Sequence, residues 1–252
     1  MAILIIRGFF MPVLRLDRML SSQGIAARKE IKELISKGLV TVNGGHVRNP
    51  SLKIDTDRDT VCVNGVPVKY REHVYIMMNK PAGVISASDD PREKTVIDLL
   101  PPKLKRPGLF PEGRLDRDTE GFLLITDDGT FAHNILSPRK HVSKQYYVVI
   151  DSPLTPEEIE RFENGLVIDG GITCLPAKLR VLEGGVSSGG ARVMVTIHEG
   201  KYHQIKRMFK ALGHEVIYLK RTAMGGLHLD DSLKPGEARE LTDEEKELIV
   251  KS

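Results

Sequence analysis

The chain has 252 residues, enough for one large domain or for a small one followed by a medium one, and its 40% hydrophobic and 28% charged make-up is that of a soluble globular protein. No apolar run reaches the roughly 20 residues that cross a bilayer, and Cys62 and Cys174 form no CxxC pair, which suits a reducing cytoplasm and supplies no metal framework. Net charge is +3 but unevenly placed: Pro12 to Glu72 carries 11 Lys/Arg against 7 Asp/Glu, while His73 to Ser252 carries 25 against 27. A basic N-terminal part suits a polyanionic partner, although on charge alone a solvated basic surface is the better reading.

Met1 to Phe10 is apolar with a single Arg7, and no small-residue cleavage site follows, so residues 1–11 are expected to be a disordered leader and not a targeting signal. Arg15 to Gln23 is predicted helical, with Leu16, Met19 and Leu20 on one face and Gly24 as a stop. Ala26 to Lys37 is a second predicted helix, with Ala27, Ile31, Leu34 and Ile35 as its apolar stripe, Gly38 beyond its end and Arg28, Lys29 and Lys32 on the opposite side. A strand over 39–44 and a hairpin over 61–68, turned by Asn64-Gly65, complete a first unit spanning 12–71.

A polar joint at Tyr70–Glu72 opens the second unit, 72–252. His73 to Asn79 alternates as a strand and ends in Asn79-Lys80-Pro81-Ala82-Gly83; Pro101 to Gly113 is a predicted surface loop. Further strands are predicted at Phe122–Thr126, Gln145–Ile150, Ala191–Ile197 and Glu215–Leu219. Helices are predicted at Pro156–Asn164, capped by Thr155, and at Tyr202–Leu212, with Ile205, Met208, Phe209 and Leu212 inward. Glu183 to Gly190 is Gly/Ser-rich and expected to be a mobile hairpin loop.

The chemistry concentrates in Gly113-Arg114-Leu115-Asp116-Arg117-Asp118-Thr119-Glu120-Gly121, which runs into the apolar Phe122 to Ile125. A carboxylate there is fixed by the following strand and kept ionised by a nearby cation. The acidic spacing partly fits a calcium loop, but Leu124 stands where a ligand belongs and no helix can precede it. An aspartyl-phosphate site fails because Thr119 comes one place early and the strand follows the motif instead of preceding it. A metal-free reacting aspartate at Asp116 and a simple Asp116–Arg114 ion pair remain equally consistent with these nine residues.

His198-Glu199-Gly200-Lys201-Tyr202-His203 has one residue too many for a zinc helix. Lys206 and Arg207 are read as a solvated face or as cations reaching an anionic site. Tyr146 and Tyr147 point to opposite sides of their strand, one to the core and one free to stack on a base.

Together these residues resemble the pseudouridine synthase family. Gly113-Arg114-Leu115-Asp116 with Thr119 and Gly121, then Phe122 to Gly129, resembles its signature; Tyr146 in Lys144-Gln-Tyr matches its active-site tyrosine; Glu199 to Met208 matches its third motif, with Lys206 at the position of the basic residue that pairs with the aspartate. The first unit is similar to the αL-type RNA-binding domain of ribosomal small-subunit protein four. The likeness covers about Leu14 to Leu248, and the leader before Met11 departs from the pattern.

Asn79 to Gly83, Asp89-Asp90-Pro91 and the Glu-Gly-Lys-Tyr-His-Gln run are most similar to members acting on small-subunit rRNA, and large-subunit members share most of them. The resemblance implies an α+β fold: the small RNA-binding domain, then a catalytic domain with a mixed, mainly antiparallel sheet flanked by helices. It implies an isomerase with no cofactor and no metal, with Asp116 acting at the anomeric region of a flipped-out uridine, as nucleophile or by proton abstraction. Arg114 would hold the RNA open, Tyr146 would pack on the base and Lys206 would keep Asp116 charged in a dry pocket. Arg15, Arg28, Lys29 and Lys32 would grip phosphates. The expected partner is ribosomal RNA or a pre-ribosomal small-subunit particle, with no membrane, in the cytoplasm, and the protein acting as a monomer. The alternatives are a large-subunit synthase, a non-catalytic rRNA-binding assembly factor and a metal-dependent hydrolase using Asp116 and Asp118.

Overall fold

The apolar residues spaced at helical intervals near the start, Leu16, Met19, Leu20, Ile31 and Ile35, are all at most 2% exposed. The computed structural model describes residues 13–136, 142–182 and 189–250. The leader at 1–11 and positions 183–188 of the Gly/Ser-rich loop lie outside the described residues.

The chain divides into two compact units, one ending at Glu72 and taking in Lys105–Pro107, the other formed by His73–Leu104 and the chain from Gly108 onward. The first unit runs β1 (Val13–Arg15), α1 (Leu16–Ser22), α2 (Arg28–Ser36), β2 (Val40–Val42), β3 (Gly45–His46), β4 (Lys53–Asp55), β5 (Val61–Val63) and β6 (Val66–Pro67). β1 pairs with β4, and the others form a small sheet in the order β3-β2-β5-β6. The helices bury Leu16, Met19, Leu20, Ile31 and Ile35 against Val40, Ile54, Val61 and Val63, while Leu34 is half-buried and Ala27, expected on the apolar stripe, is exposed at the N-cap of α2. Asn64 and Gly65 both have positive φ, 51° and 77°, as the hairpin between β5 and β6 requires.

The second unit runs β7 (Tyr75–Lys80), a short 3-10 turn at Pro102–Leu104, β8 (Phe110–Glu112), β9 (Glu120–Thr126), α3 (Gly129–Leu136), β10 (Lys144–Ile150) and α4 (Pro156–Glu163). It continues with β11 (Val167–Ile168), β12 (Ile172–Thr173), β13 (Lys178–Val181), β14 (Ala191–Ile197), α5 (Gln204–Ala211), β15 (Val216–Met224), β16 (Leu227–His228), β17 (Ala238–Glu240) and α6 (Asp243–Val250). Its main sheet has the order β13-β14-β10-β15-β9-β7-β17, with β8 added beside β9 and β16 beside β15. Among the described strands of this sheet the β9–β15 pairing alone is parallel, matching Glu120 to Lys220 and Gly121 to Arg221. The expected α+β architecture with a mixed, mainly antiparallel sheet is the one found.

Phe122 to Ile125 reads as an unbroken apolar run because β9 is covered on both faces. Leu123 and Ile125 join the larger core with Ile76 and Met78. Phe122 and Leu124 join a second cluster with Met77, Met224 and Ile249. Leu212 at the end of the α5 stripe is only half-buried, whereas Ile205, Met208 and Phe209 are fully inside.

Several elements were not anticipated. β8 lies in the stretch expected to be a loop: Pro111 lacks an N–H, and β8 pairs only with β9, an edge position where proline is tolerated. β15 runs on to Met224 because Arg221, polar but only 1% exposed, still pairs with its neighbours. α3 is started by Asp128, whose Oδ1 accepts from the N–H groups of Thr130 and Phe131. α6 is started by the reciprocal Thr242–Glu245 box. Thr155 caps α4 as expected, and Glu158 completes the box.

Candidate active site

Asp116 lies in the loop between β8 and β9, and that loop is pinned from below. The Lys80 ammonium, fully buried at the end of β7, donates to the carbonyls of Asp116 (3.0 Å), Thr119 (2.9 Å), Arg117 (3.2 Å) and Pro81 (3.0 Å). Burial pushes the Lys80 pKa down to about 8, opposed by the carboxylates of Asp118 and Asp116. The Ser86 hydroxyl donates to the Leu115 carbonyl and accepts from the Leu115 N–H. The Gly83 N–H donates to the Arg117 carbonyl at 2.8 Å.

Gly121 fixes where the loop enters the sheet. Its φ is +100°, and a Cβ there would lie 2.2 Å from the Arg221 carbonyl oxygen. Only glycine permits this approach of β9 to β15.

The loop borders a cleft of about 730 Å³ whose walls include Ser86, Glu112, Arg114, Asp116, Lys144, Tyr146, Tyr202, His203, Lys206 and Arg221. Six Lys/Arg residues line it (Arg114, Arg117, Lys144, Lys201, Lys206 and Arg221); Arg117, Lys201 and Lys206 are paired with Glu93, Glu199 and Asp118, and Arg114 is exposed on the wall, where it can meet an anionic ligand. The Asp116 side chain keeps 27% of its exposure, so it faces the cleft and is not dry. Its Oδ2 is 3.5 Å from the Lys206 ammonium and its Oδ1 is 3.4 Å from His203 Nε2.

The sequence reading pairs Lys206 with Asp116, but its tighter partner is Asp118, at 2.5 and 2.7 Å. That contact holds the Asp118 carboxyl below its ordinary range. Among the described residues no ion pair joins Asp116 to Arg114, which is exposed on the cleft wall. Arg207 does not face solvent alone: it donates to Asp169 and to the Tyr202 carbonyl.

Tyr146 is only 7% exposed yet lines the cleft, so the same side chain belongs to the core and to the cleft wall. Tyr147 packs edge-on against Tyr218. Arg28, Lys29 and Lys32 are exposed along α2 in the first unit. Arg15 is different, its guanidinium gripping the buried Asp17 at 3.1 and 2.7 Å.

Sequence reasoning missed the groups that come from distant strands. Glu112 is 4% exposed with a buried Oε1 lacking a hydrogen bond, and burial pushes its carboxyl up to about 7. Lys144, pushed down to about 8 by burial and by Arg221, interacts with both. The Arg221 Nε donates to the Phe122 carbonyl. Glu112 falls in the stretch read as a loop, and Lys144 and Arg221 fall just outside the strands read from the sequence, so no local signal marked them and only the sheet order gathers them. Among the described residues no group of three or more His, Cys, Asp or Glu side chains is placed to hold a metal ion.

A carboxylate on a pinned loop, with two cationic or titratable partners and a tyrosine in a positively lined cleft, can act on the sugar of an RNA nucleotide. The fold and this cleft place the protein in a defined class. A model of the RNA pseudouridylate synthase family matches residues 74–211, and an S4 domain model matches residues 14–59. The chain belongs to the RNA pseudouridylate synthase family, and the enzyme class is that of an RNA pseudouridine synthase, an isomerase.

Its relatives are similar over nearly their whole length. A Bacillus subtilis protein described as an uncharacterized RNA pseudouridine synthase is 49% identical over 236 residues, 94% of this chain and 98% of its own. Ribosomal large subunit pseudouridine synthase B of Bacillus subtilis is 40% identical, covering 92% of this chain and 93% of its own. Ribosomal small subunit pseudouridine synthase A of Vibrio cholerae is 39% identical, covering 94% and 100%. A crystal structure of a pseudouridylate synthase superposes with a TM-score of 0.63 at 34% identity, covering 94% of this chain and 99% of that one.

Proposed function

We propose that the protein converts a specific uridine of small-subunit ribosomal RNA to pseudouridine, with Asp116 as the reacting group. The observation that carries this reading is the placement of Asp116: its backbone is clamped by Lys80 while its carboxylate meets Lys206 and His203 in the cleft. In the reaction the bond from uracil N1 to the sugar C1′ breaks, the base turns, C5 bonds to C1′ and the C5 proton leaves for solvent while N1 gains one. No oxidant or external group enters the balance. Asp116 attacks C1′ or removes the neighbouring sugar proton, and Lys206 stabilises its charge at either step. Tyr146 packs on the base, and Arg114 steadies the opened RNA.

Residues 12–71 supply RNA binding and 72–252 the chemistry. Arg28, Lys29 and Lys32 contact phosphates without reading sequence. Arg15 contributes first by holding Asp17 and only secondarily by charge. On this reading the protein acts as a monomer on ribosomal RNA or a pre-ribosomal small-subunit particle during ribosome biogenesis in the cytoplasm. The small-subunit target rests on the resemblance of the Asn79–Gly83 and Asp89–Pro91 segments together with the Glu199–Gln204 run.

The test is tritium release from unmodified small- and large-subunit rRNA transcripts labelled at uridine C5, followed by mapping of the product. Wild-type protein should release tritium from one uridine of the small-subunit transcript. Asp116→Asn, nearly isosteric, should bind the RNA and release none. Release from the large-subunit transcript alone would move the target, and substantial turnover by Asp116→Asn would remove Asp116 as the reacting group.

A further inference from the structure

Tyr202 is the most exposed large apolar or aromatic side chain among the described residues, at 77%. Isolated exposed apolar residues are ordinary, but this one is braced. Its ring lies on the His203 imidazole, with centroids 3.8 Å apart and planes 19° from parallel. His203 holds the left-handed conformation, φ 48° and ψ 35°, at the N-terminus of α5. A non-glycine residue adopts that geometry at a cost of about 1 kcal/mol or more, and such residues gather at binding sites.

The segment around the pair is locked. The Arg207 guanidinium donates to the Tyr202 carbonyl at 3.1 Å and is itself anchored on Asp169. On the other side, Gln204 accepts from the Lys201 N–H and donates to Glu199. The inner ring of the pair reaches the reacting carboxylate, since His203 Nε2 is 3.4 Å from Asp116 Oδ1. Tyr202 is therefore one ring outward from the point where the target sugar must lie, on the wall of the same cleft, next to Lys201.

We propose that Tyr202, stacked on His203, is a platform for the base adjacent to the target uridine. The inference rests on the reading of the cleft as the uridine site. A nucleotide extruded toward Asp116 leaves its neighbour unstacked at the rim, and a flat ring with one face already covered and the other open replaces the lost stacking. Arg114, exposed on the cleft wall, is placed to meet the connecting phosphates, while the Lys201 ammonium is held by Glu199. Stacking of this kind tolerates every base, because each has a π-face, so the platform contributes affinity and positioning and little sequence preference.

The experiment compares wild type, Tyr202→Ala, Tyr202→Phe and Tyr202→Trp on C5-tritiated small-subunit rRNA transcript. Tyr202→Ala should raise KM by about five- to 100-fold and leave kcat within about twofold, and Phe and Trp should restore KM. The chain contains no tryptophan, so Tyr202→Trp carries a single indole, excited at wavelengths the remaining tyrosines do not absorb, whose fluorescence should be quenched when the same transcript binds. An unchanged KM for Tyr202→Ala, a loss confined to kcat or to thermal stability, or an unquenched Trp at saturating RNA would each overturn the platform. If wild type releases no tritium, the uridine reading fails separately, and quenching by the transcript still decides whether Tyr202 stacks on RNA.

Discussion

The Lys206 ammonium is shared between two carboxylates, 2.5 Å from Asp118 Oδ1 and 3.5 Å from Asp116 Oδ2. Asp118 is 72% exposed, so its hold on the lysine is of the solvent-screened kind and worth less than about 1 kcal/mol. Asp116 is the more enclosed of the two, and its loop is clamped. The shared ammonium lets substrate draw Lys206 toward Asp116 at little cost. Asp118→Asn should keep at least half the wild-type kcat, while Lys206→Ala should lose about 100-fold, both read by tritium release. An Asp118→Asn protein as inactive as Asp116→Asn would make Asp118 the reacting group.

Glu112 gives the protein a pH-dependent stability. Its folded pKa, raised by burial to about 7, exceeds the ordinary 4.5, so between these values the folded state holds a proton that the unfolded state has released. Stability from this group is present at acid pH and is lost as pH rises through about 7. Glu112→Gln should therefore be about 2 kcal/mol more stable than wild type at pH 8 and equal to it near pH 4.5. Urea unfolding at the two pH values measures the difference, and an equal gain at both would show that a carboxylate charge is not involved.

Two glycines beside the Asp116 loop should respond differently to alanine. At Gly121 the new methyl would meet the Arg221 carbonyl at 2.2 Å, and separation of β9 from β15 should cost about 4 kcal/mol or more. At Gly83, φ is +85° but nothing lies within 4 Å, so only the backbone strain of about 1–2 kcal/mol is expected. Denaturation midpoints of the purified variants provide the comparison.

On α2, replacing Arg28, Lys29 and Lys32 together by Gln should lower the slope of log affinity against log salt by about 2, because fewer counterions are released on binding. Binding of the rRNA transcript between low and moderate salt measures it, and an unchanged slope would place that face away from RNA. Arg15→Gln should instead loosen the first unit, since it strips the buried Asp17 of its guanidinium.

The sequence by itself determined which segments build the elements and which enzyme family the chain resembles. Helical spacing marked Leu16, Met19, Leu20, Ile31 and Ile35 as core. The Asn64-Gly65 pair marked its hairpin, and Thr155 marked the start of α4. The run from Gly113 into Phe122–Ile125 marked a carboxylate at a strand entrance, and the spaced motifs around Tyr146 and Glu199–Met208 resembled one enzyme family. These are local signals, because periodicity, capping and turn chemistry act over a few residues.

Only the tertiary structure decided what surrounds Asp116. Lys80 lies 36 residues from Asp116, Lys206 lies 88 from Asp118, and Arg221 lies 99 from Phe122. Such separations become contacts only through the β7–β9–β15–β10 order of the sheet. The partner of Lys206, the burial of Glu112 and the stacking of Tyr202 on His203 all depend on it. No local pattern encodes those contacts, because their energies arise from desolvation and Coulomb attraction between groups that meet only after the chain has folded.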